Sequence, residues 1–147
     1  MATNQVGNAR VDVLNRLLHD TVNSVVQYAD ISAPHVPKGY DEQVAELRAI
    51  ADEEKVLANE LVELIGRLRG VPQVGVFPYW NVDLNYLDLR FMAKFAREHQ
   101  EASIARLEAE LAQVQDDPEV HSFLRKALEQ KKDHLGRLAG VAGDYGG

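Results

Sequence analysis

Apolar residues recur at steps of three and four through most of the chain, which is the spacing of one face of an α-helix. Val11, Leu14, Leu17, Leu18, Val22, Val25, Tyr28 and Ile31 mark a first helix over about 10–33, with Asn8 as its cap. Ser32-Ala33-Pro34-His35-Val36-Pro37-Lys38-Gly39 breaks the pattern, because proline removes a backbone donor and restricts the residue before it. Asp41 and Glu42 then favour a helix N-terminus, and Val44, Leu47, Ala51, Leu57, Leu61, Leu64 and Leu68 carry a second helix over about 41–69. Gly70-Val71-Pro72 ends it, with glycine just past the last turn and proline soon after. Residues 71–85 are too apolar for a free linker: Val76, Phe77, Tyr79 and Trp80 predict a loop lying on the surface of the helices. Asn85 can cap a third helix over about 86–114, with Phe91, Phe95, Ala102, Ile104, Leu107 and Leu111 inward. Asp117 followed by Pro118 starts a fourth over about 118–139, with Val120, Phe123, Leu124, Ala127, Leu128, Leu135 and Leu138 inward. The glycine-rich end, 140–147, reads as a loose tail.

No strand alternation and no internal repeat interrupts this sequence of helices, so the fold class is all-α, a four-helix bundle forming one domain over 1–147. The second helix spans roughly 40 Å at 1.5 Å per residue, and the long connection can reach roughly 50 Å when extended. It can therefore run the length of the bundle as a long crossover and make helices 2 and 3 parallel.

Composition narrows the chemistry. The absence of cysteine excludes disulfides, thiolate metal sites and a cysteine nucleophile, so any metal must sit on Asp, Glu or His. A net charge of −7 with dispersed Lys and Arg argues against a nucleic-acid partner. No apolar run is long enough to span a membrane, and residues 1–9 lack the basic start and apolar centre of a secretory signal, so a cytoplasmic protein is expected.

Each helix interrupts its apolar stripe with polar residues: Thr21, Glu54, Glu98, and Lys131 with His134. Thr21 lies thirteen residues before Pro34 and Glu54 thirteen after Asp41, which sets them opposite each other across the first hairpin. Glu98 stands about level with Glu54 if helices 2 and 3 are parallel, and 131–134 meet it across the second hairpin. The five are expected to form one core polar layer, since an unpartnered buried charge is costly and each helix has a solvated face available.

This pattern resembles the ferritin-like family, in particular its bacterioferritin and rubrerythrin branch. That family carries one Glu on each of helices 1 and 3 and Glu-x-x-His on each of helices 2 and 4, binding two irons. Leu17-Leu18-His19-Asp20-Thr21 is similar to the family's first helix, with Thr21 at the position of its Glu. Glu53-Glu54-Lys55-Val56-Leu57-Ala58 is similar to the second, keeping Glu54 and placing Leu57 at the His. Glu98 matches the third-helix Glu, while Lys131-Lys132-Asp133-His134 keeps His134 and places Lys131 at the Glu. Three of the six ligand positions survive over a resemblance that covers about residues 10–140. Lys55 stands where bacterioferritins would place a haem methionine, so no haem is expected.

A di-iron site balances two cations with several carboxylates and completes their coordination with imidazoles. Here an ammonium shares the layer, and Glu54, Glu98, Lys131 and a charged His134 could reach formal neutrality without metal. Three readings follow: a metal-free, salt-bridged layer with no cofactor; one iron or manganese on Glu54, Glu98 and His134; or a full di-metal centre. The first implies a structural, interaction or sensing protein, and the others a metal-dependent oxidase of ferroxidase type or an iron-handling protein. The resemblance also implies a homodimer or larger homo-oligomer. His19 with Asp20, and His99 with Glu98, could hold adventitious metal, but adjacent helical residues diverge and a solvated face is expected. His35 and His121 sit near loops, Tyr79 and Trp80 cover the bundle or a subunit contact, and Glu108–Glu110 and Arg125–Lys126 read as wet faces.

Overall fold

The computed structural model describes residues 2–32, 36, 38–73 and 89–142. Its helices are α1 (Ala2–Val22), α2 (Val25–Ser32), α3 (Asp41–Arg67), α4 (Leu89–Leu111) and α5 (Pro118–Ala142), with a short 3₁₀ turn at Ala112–Val114. Two apolar clusters form the core. One joins Val13, Leu14, Leu17 and Leu18 of α1 to Leu57, Leu61, Leu64 and Ile65 of α3, Ile104 and Leu107 of α4, and Val120, Leu124, Ala127 and Leu128 of α5. The other joins Val25, Val26 and Ala29 of α2 to Leu47, Ile50 and Ala51, Leu89, Met92, Ala93 and Ala96, and Leu138, Val141 and Ala142. Early α3 thus meets early α4 and late α3 meets late α4, so those helices are parallel, while α1–α2 and α5 run against them. Residues 74–88 of the connection between them, including Tyr79, Trp80 and Asn85, lie outside the described residues, as do His35 and the tail beyond 142. Among the described residues no helix is long and apolar enough to cross a membrane.

The single helix expected over 10–33 is two helices, and α1 begins at Ala2, which places Asn8 inside it rather than at its cap. The division falls at Asn23 and Ser24. Asn23 closes α1 by donating from its backbone N–H to His19 O at 3.0 Å. Ser24 opens α2 as an N-cap, its Oγ accepting the Gln27 backbone N–H at 3.1 Å.

At the end of α3, Gly70 lies just past the last turn as expected, but it is not the residue that turns the chain. Arg69, with φ 63°, takes the left-handed position. Its N–H bonds Gly66 O at 3.0 Å and the Gly70 N–H bonds Ile65 O at 2.9 Å, the paired closure of a Schellman motif. Gly70 is required for another reason: a Cβ there would lie 2.7 and 2.8 Å from the two Val11 methyls. The following strand of chain is held by Asn15, which donates to Val71 O at 3.1 Å and accepts from the Gln73 N–H at 2.8 Å.

Along α4 the buried stripe is Leu89, Met92, Ala93, Ala96, Gln100, Ser103, Ile104 and Leu107. Phe91 and Phe95, expected inward, are half-buried and stack on each other with ring centroids 6.4 Å apart; Ala102 is exposed. The expected stripe holds at Ile104 and Leu107, which are buried, and differs nearer the start of the helix. The closely packed helices instead take the smaller Ala93 and Ala96. At α5, Asp117 caps as expected, accepting the Val120 N–H at 3.2 Å, while Arg10 donates to its other oxygen at 2.8 Å and holds its carboxyl below the usual range.

Candidate functional site

Between the two apolar clusters lies a belt of buried polar side chains: Thr21, Asn23, Ser24, Gln27, Glu54, Gln100, Ser103, Lys131 and His134. The division between α1 and α2 falls at this height, and it decides what Glu54 meets. Ser24 Oγ donates to Glu54 Oε1 at 2.7 Å and Gln27 Nε2 donates to the same oxygen at 3.2 Å. Gln27 also donates to Ala51 O at 2.7 Å, tying α2 to α3 on both sides of the carboxyl. Glu54 is 3% exposed, and burial pushes its pKa from 4.5 to about 7, against the opposing pull of Ser24, Lys131 and Gln27. Lys131, equally buried, is pushed down by burial, with Glu54 the largest opposing influence. The two groups thus both move toward their neutral forms, as expected for an acid and an amine sharing a dry environment. Among the described residues no direct ion pair joins them; Lys131 acts on Glu54 through space.

The other expected members of the layer are placed differently. Thr21 is buried, but its hydroxyl donates to Leu17 O at 2.7 Å in its own helix and does not serve a carboxylate. Glu98 is exposed, because the buried face of α4 at this height passes through Ala96 and Gln100. Gln100 takes the inward position and donates to Lys131 O at 3.1 Å. His99, expected on a solvated face, is half-buried, and burial pushes its imidazole below the usual range. Glu110, read as part of a wet face, is buried beside Arg16.

His134 is 1% exposed but faces Glu53 rather than Glu54, with Nε2 3.1 Å from Glu53 Oε1. Glu53 is held below the usual carboxylate range, chiefly by its hydrogen bonds from Arg137. An ionised carboxylate only accepts, so Nε2 carries the hydrogen. Burial pushes His134 below the usual imidazole range, against the opposing pull of Glu53, and so favours the neutral ring. Arg137 completes this second group. It donates from one terminal nitrogen to Glu53 Oε1 and Asp133 Oδ2, both at 3.0 Å, from the other to Glu53 Oε2 at 2.9 Å, and from Nε to Glu46.

Glu54, Glu98 and His134 therefore do not converge. Among the described residues the one trio whose ligand atoms lie within 4.8 Å of one another is Glu53, Asp133 and His134. Nor does the layer fit two irons. It offers one buried carboxyl whose bonded oxygen already accepts two donors, a leucine at 57, a threonine turned to its own backbone, and an ammonium. Two cations need several ionised carboxylates, and burial drives the one present toward its protonated form.

Sequence reasoning passed over Ser24, Gln27, Glu53, Asp133 and Arg137. Two signals were available. Ser24-Val25-Val26-Gln27 has the Ser-x-x-Gln form of a capping box, masked by the apolar periodicity that runs through it. Asp133 and Arg137 stand four apart, the spacing of an ion pair on one helical face.

A family model described as a ferritin-like domain matches residues 11–145. A comparison with curated protein sequences finds no match. Among solved structures, a ferritin-like, diiron-carboxylate protein of Bacillus anthracis is 19% identical, with 94% of this chain and 98% of that one covered and a TM-score of 0.73. The dodecameric thioferritin of Bacteroides fragilis, a bacterioferritin-related protein, is 16% identical over 95% and 88%, with a TM-score of 0.77. Dps from Thermosynechococcus elongatus is 14% identical over 98% and 96%, with a TM-score of 0.79. At these identities the likeness is one of fold.

Proposed function

This chain belongs to the ferritin-like domain family, and from that premise we propose that it is a member whose di-iron centre has given way to a metal-free polar layer. Its role is structural, interactive or sensing, exercised as a cytoplasmic homo-oligomer with a dimer as the smallest unit. The observation that carries this reading is the environment of Glu54: a buried carboxyl bonded by Ser24 and Gln27, with Lys131 as the neighbouring cation. Such surroundings satisfy the acid with hydrogen bonds and protons, and they leave a divalent ion without the anionic ligands it requires. The oligomer is carried over from the dodecameric Bacteroides fragilis relative.

A metal-dependent oxidase built on a reduced ligand set is the second reading. The grouping of Glu53, Asp133 and His134 favours it, and the guanidinium already bonded to both carboxylates weighs against it. Aerobic oxidation of Fe(II), followed by oxygen consumption, distinguishes the two. The first reading expects the rate with protein to equal that of buffer. A protein-dependent rate that disappears in His134→Ala or in Glu54→Ala would establish a metal centre and refute it.

A further inference from the structure

We propose that Arg137 is a built-in cation that keeps divalent metals out of a cluster otherwise arranged to hold one, formed by Glu53, Asp133 and His134. The inference rests on the metal-free reading above and extends it from the Glu54 layer to a second group of side chains. One ligand atom from each of the three residues lies within 4.8 Å of the others, so the side chains need draw in by only about 1 Å for one ion at bond lengths of about 2 Å to bridge them. The set mixes two carboxylates with an imidazole that is fully enclosed by the bundle. Arg137 is itself one-quarter exposed and lies across the front of the group.

Its geometry is that of an occupant. Both terminal nitrogens engage both Glu53 oxygens in a fork-to-fork pair at 3.0 and 2.9 Å, one of them also reaches Asp133 at 3.0 Å, and Nε bonds Glu46. The arrangement follows from α5 itself, because Asp133, His134 and Arg137 are spaced three and four apart and share one helical face. A metal ion entering the group would have to displace at least two of these hydrogen bonds and sit beside a fixed positive charge. A lysine ammonium would keep the charge but not the planar fork that engages both Glu53 oxygens at once. Arg137 therefore supplies this cluster with positive charge from the chain itself, bonded directly to both carboxylates.

Titration with Co(II) tests this, read by visible absorption and by the thermal midpoint, on the wild-type chain, Arg137→Gln, Arg137→Lys and the double variant Arg137→Gln/His134→Ala. Arg137→Gln is expected to bind one Co(II) roughly a hundredfold more tightly than wild type, given the repulsion between a guanidinium and a divalent ion at this range. The double variant should lose that gain, and Arg137→Lys, which keeps a charge, should still exclude the ion. If Arg137→Gln is unfolded without metal, it should refold on adding Co(II), as followed by circular dichroism. Equal Co(II) affinity in wild type and Arg137→Gln overturns the proposal, as does an Arg137→Gln chain that neither binds nor refolds with Co(II) at saturation. This failure is separate from failure of the proposed function, which appears as Glu54-dependent metal in the wild-type chain.

Discussion

Glu54 is satisfied through one oxygen: Ser24 and Gln27 both donate to Oε1, which leaves Oε2 for a proton. That asymmetry, with the rise in pKa from 4.5 to about 7, sets a pH dependence whose sign is fixed. Below pH 4.5 the folded and unfolded chains both hold the proton. Between 4.5 and about 7 the unfolded chain releases it while the folded chain keeps it, so stability falls as pH rises, by about 3 kcal/mol in all. Glu54→Gln mimics the protonated acid, with its carbonyl able to accept the same two donors. Chemical denaturation at pH 4, 6 and 8 should show wild type losing stability relative to Glu54→Gln by about that amount, and parallel curves would show that Glu54 is not dry. The inward position of Glu54 was legible because α3 keeps a regular stripe on both sides of it. Glu98 was misplaced because its helix buries Met92, Ala93 and Ala96 and leaves two phenylalanines half-exposed, an arrangement that ranking residues by hydrophobicity cannot anticipate.

Among the elements, the break between α1 and α2 does the most to shape the site. A continuous helix would bury the same apolar stripe, and for that reason periodicity alone predicted one. The break is a matter of one hydroxyl, which caps α2 and bonds Glu54 at once. Ser24→Ala removes both roles and should cost about 2 kcal/mol, the sum of a lost cap and a lost buried hydrogen bond. Hydrogen exchange should then rise in residues 25–32 more than in α1 or α3; a uniform rise would mean that the cap does not define the element. The far end of α3 offers a second case. Gly70→Ala leaves the Schellman turn on Arg69 intact but drives a methyl into Val11, and overpacking of this kind should lower stability by about 1–3 kcal/mol. Val11→Ala in the same chain should recover part of that loss, whereas additive losses would point to backbone strain at Gly70 instead.

For the molecule as a whole, the order of helices and the parallel pairing of α3 with α4 could be read from loop lengths, since a chain that must span the bundle needs a long connection. The belt's internal chemistry could not be read in the same way. It depends on which of two adjacent residues, Glu53 or Glu54, faces which helix, and on how α5 turns Arg137 toward Glu46, Glu53 and Asp133. Those are properties of packed surfaces, set by rotations of tens of degrees that periodicity does not resolve. The same packing gives the molecule two apolar clusters separated by a polar belt, with the Arg137 ion-pair group beside it.

Elemental analysis tests that central claim most directly. Protein purified after growth with added iron or manganese, then dialysed, is assayed for metal per chain in wild type and in Glu54→Ala. The account predicts roughly less than a tenth of an equivalent in both, as expected where no set of ionised ligands is available to hold the ion. One or two equivalents in wild type that are lost in Glu54→Ala would contradict it.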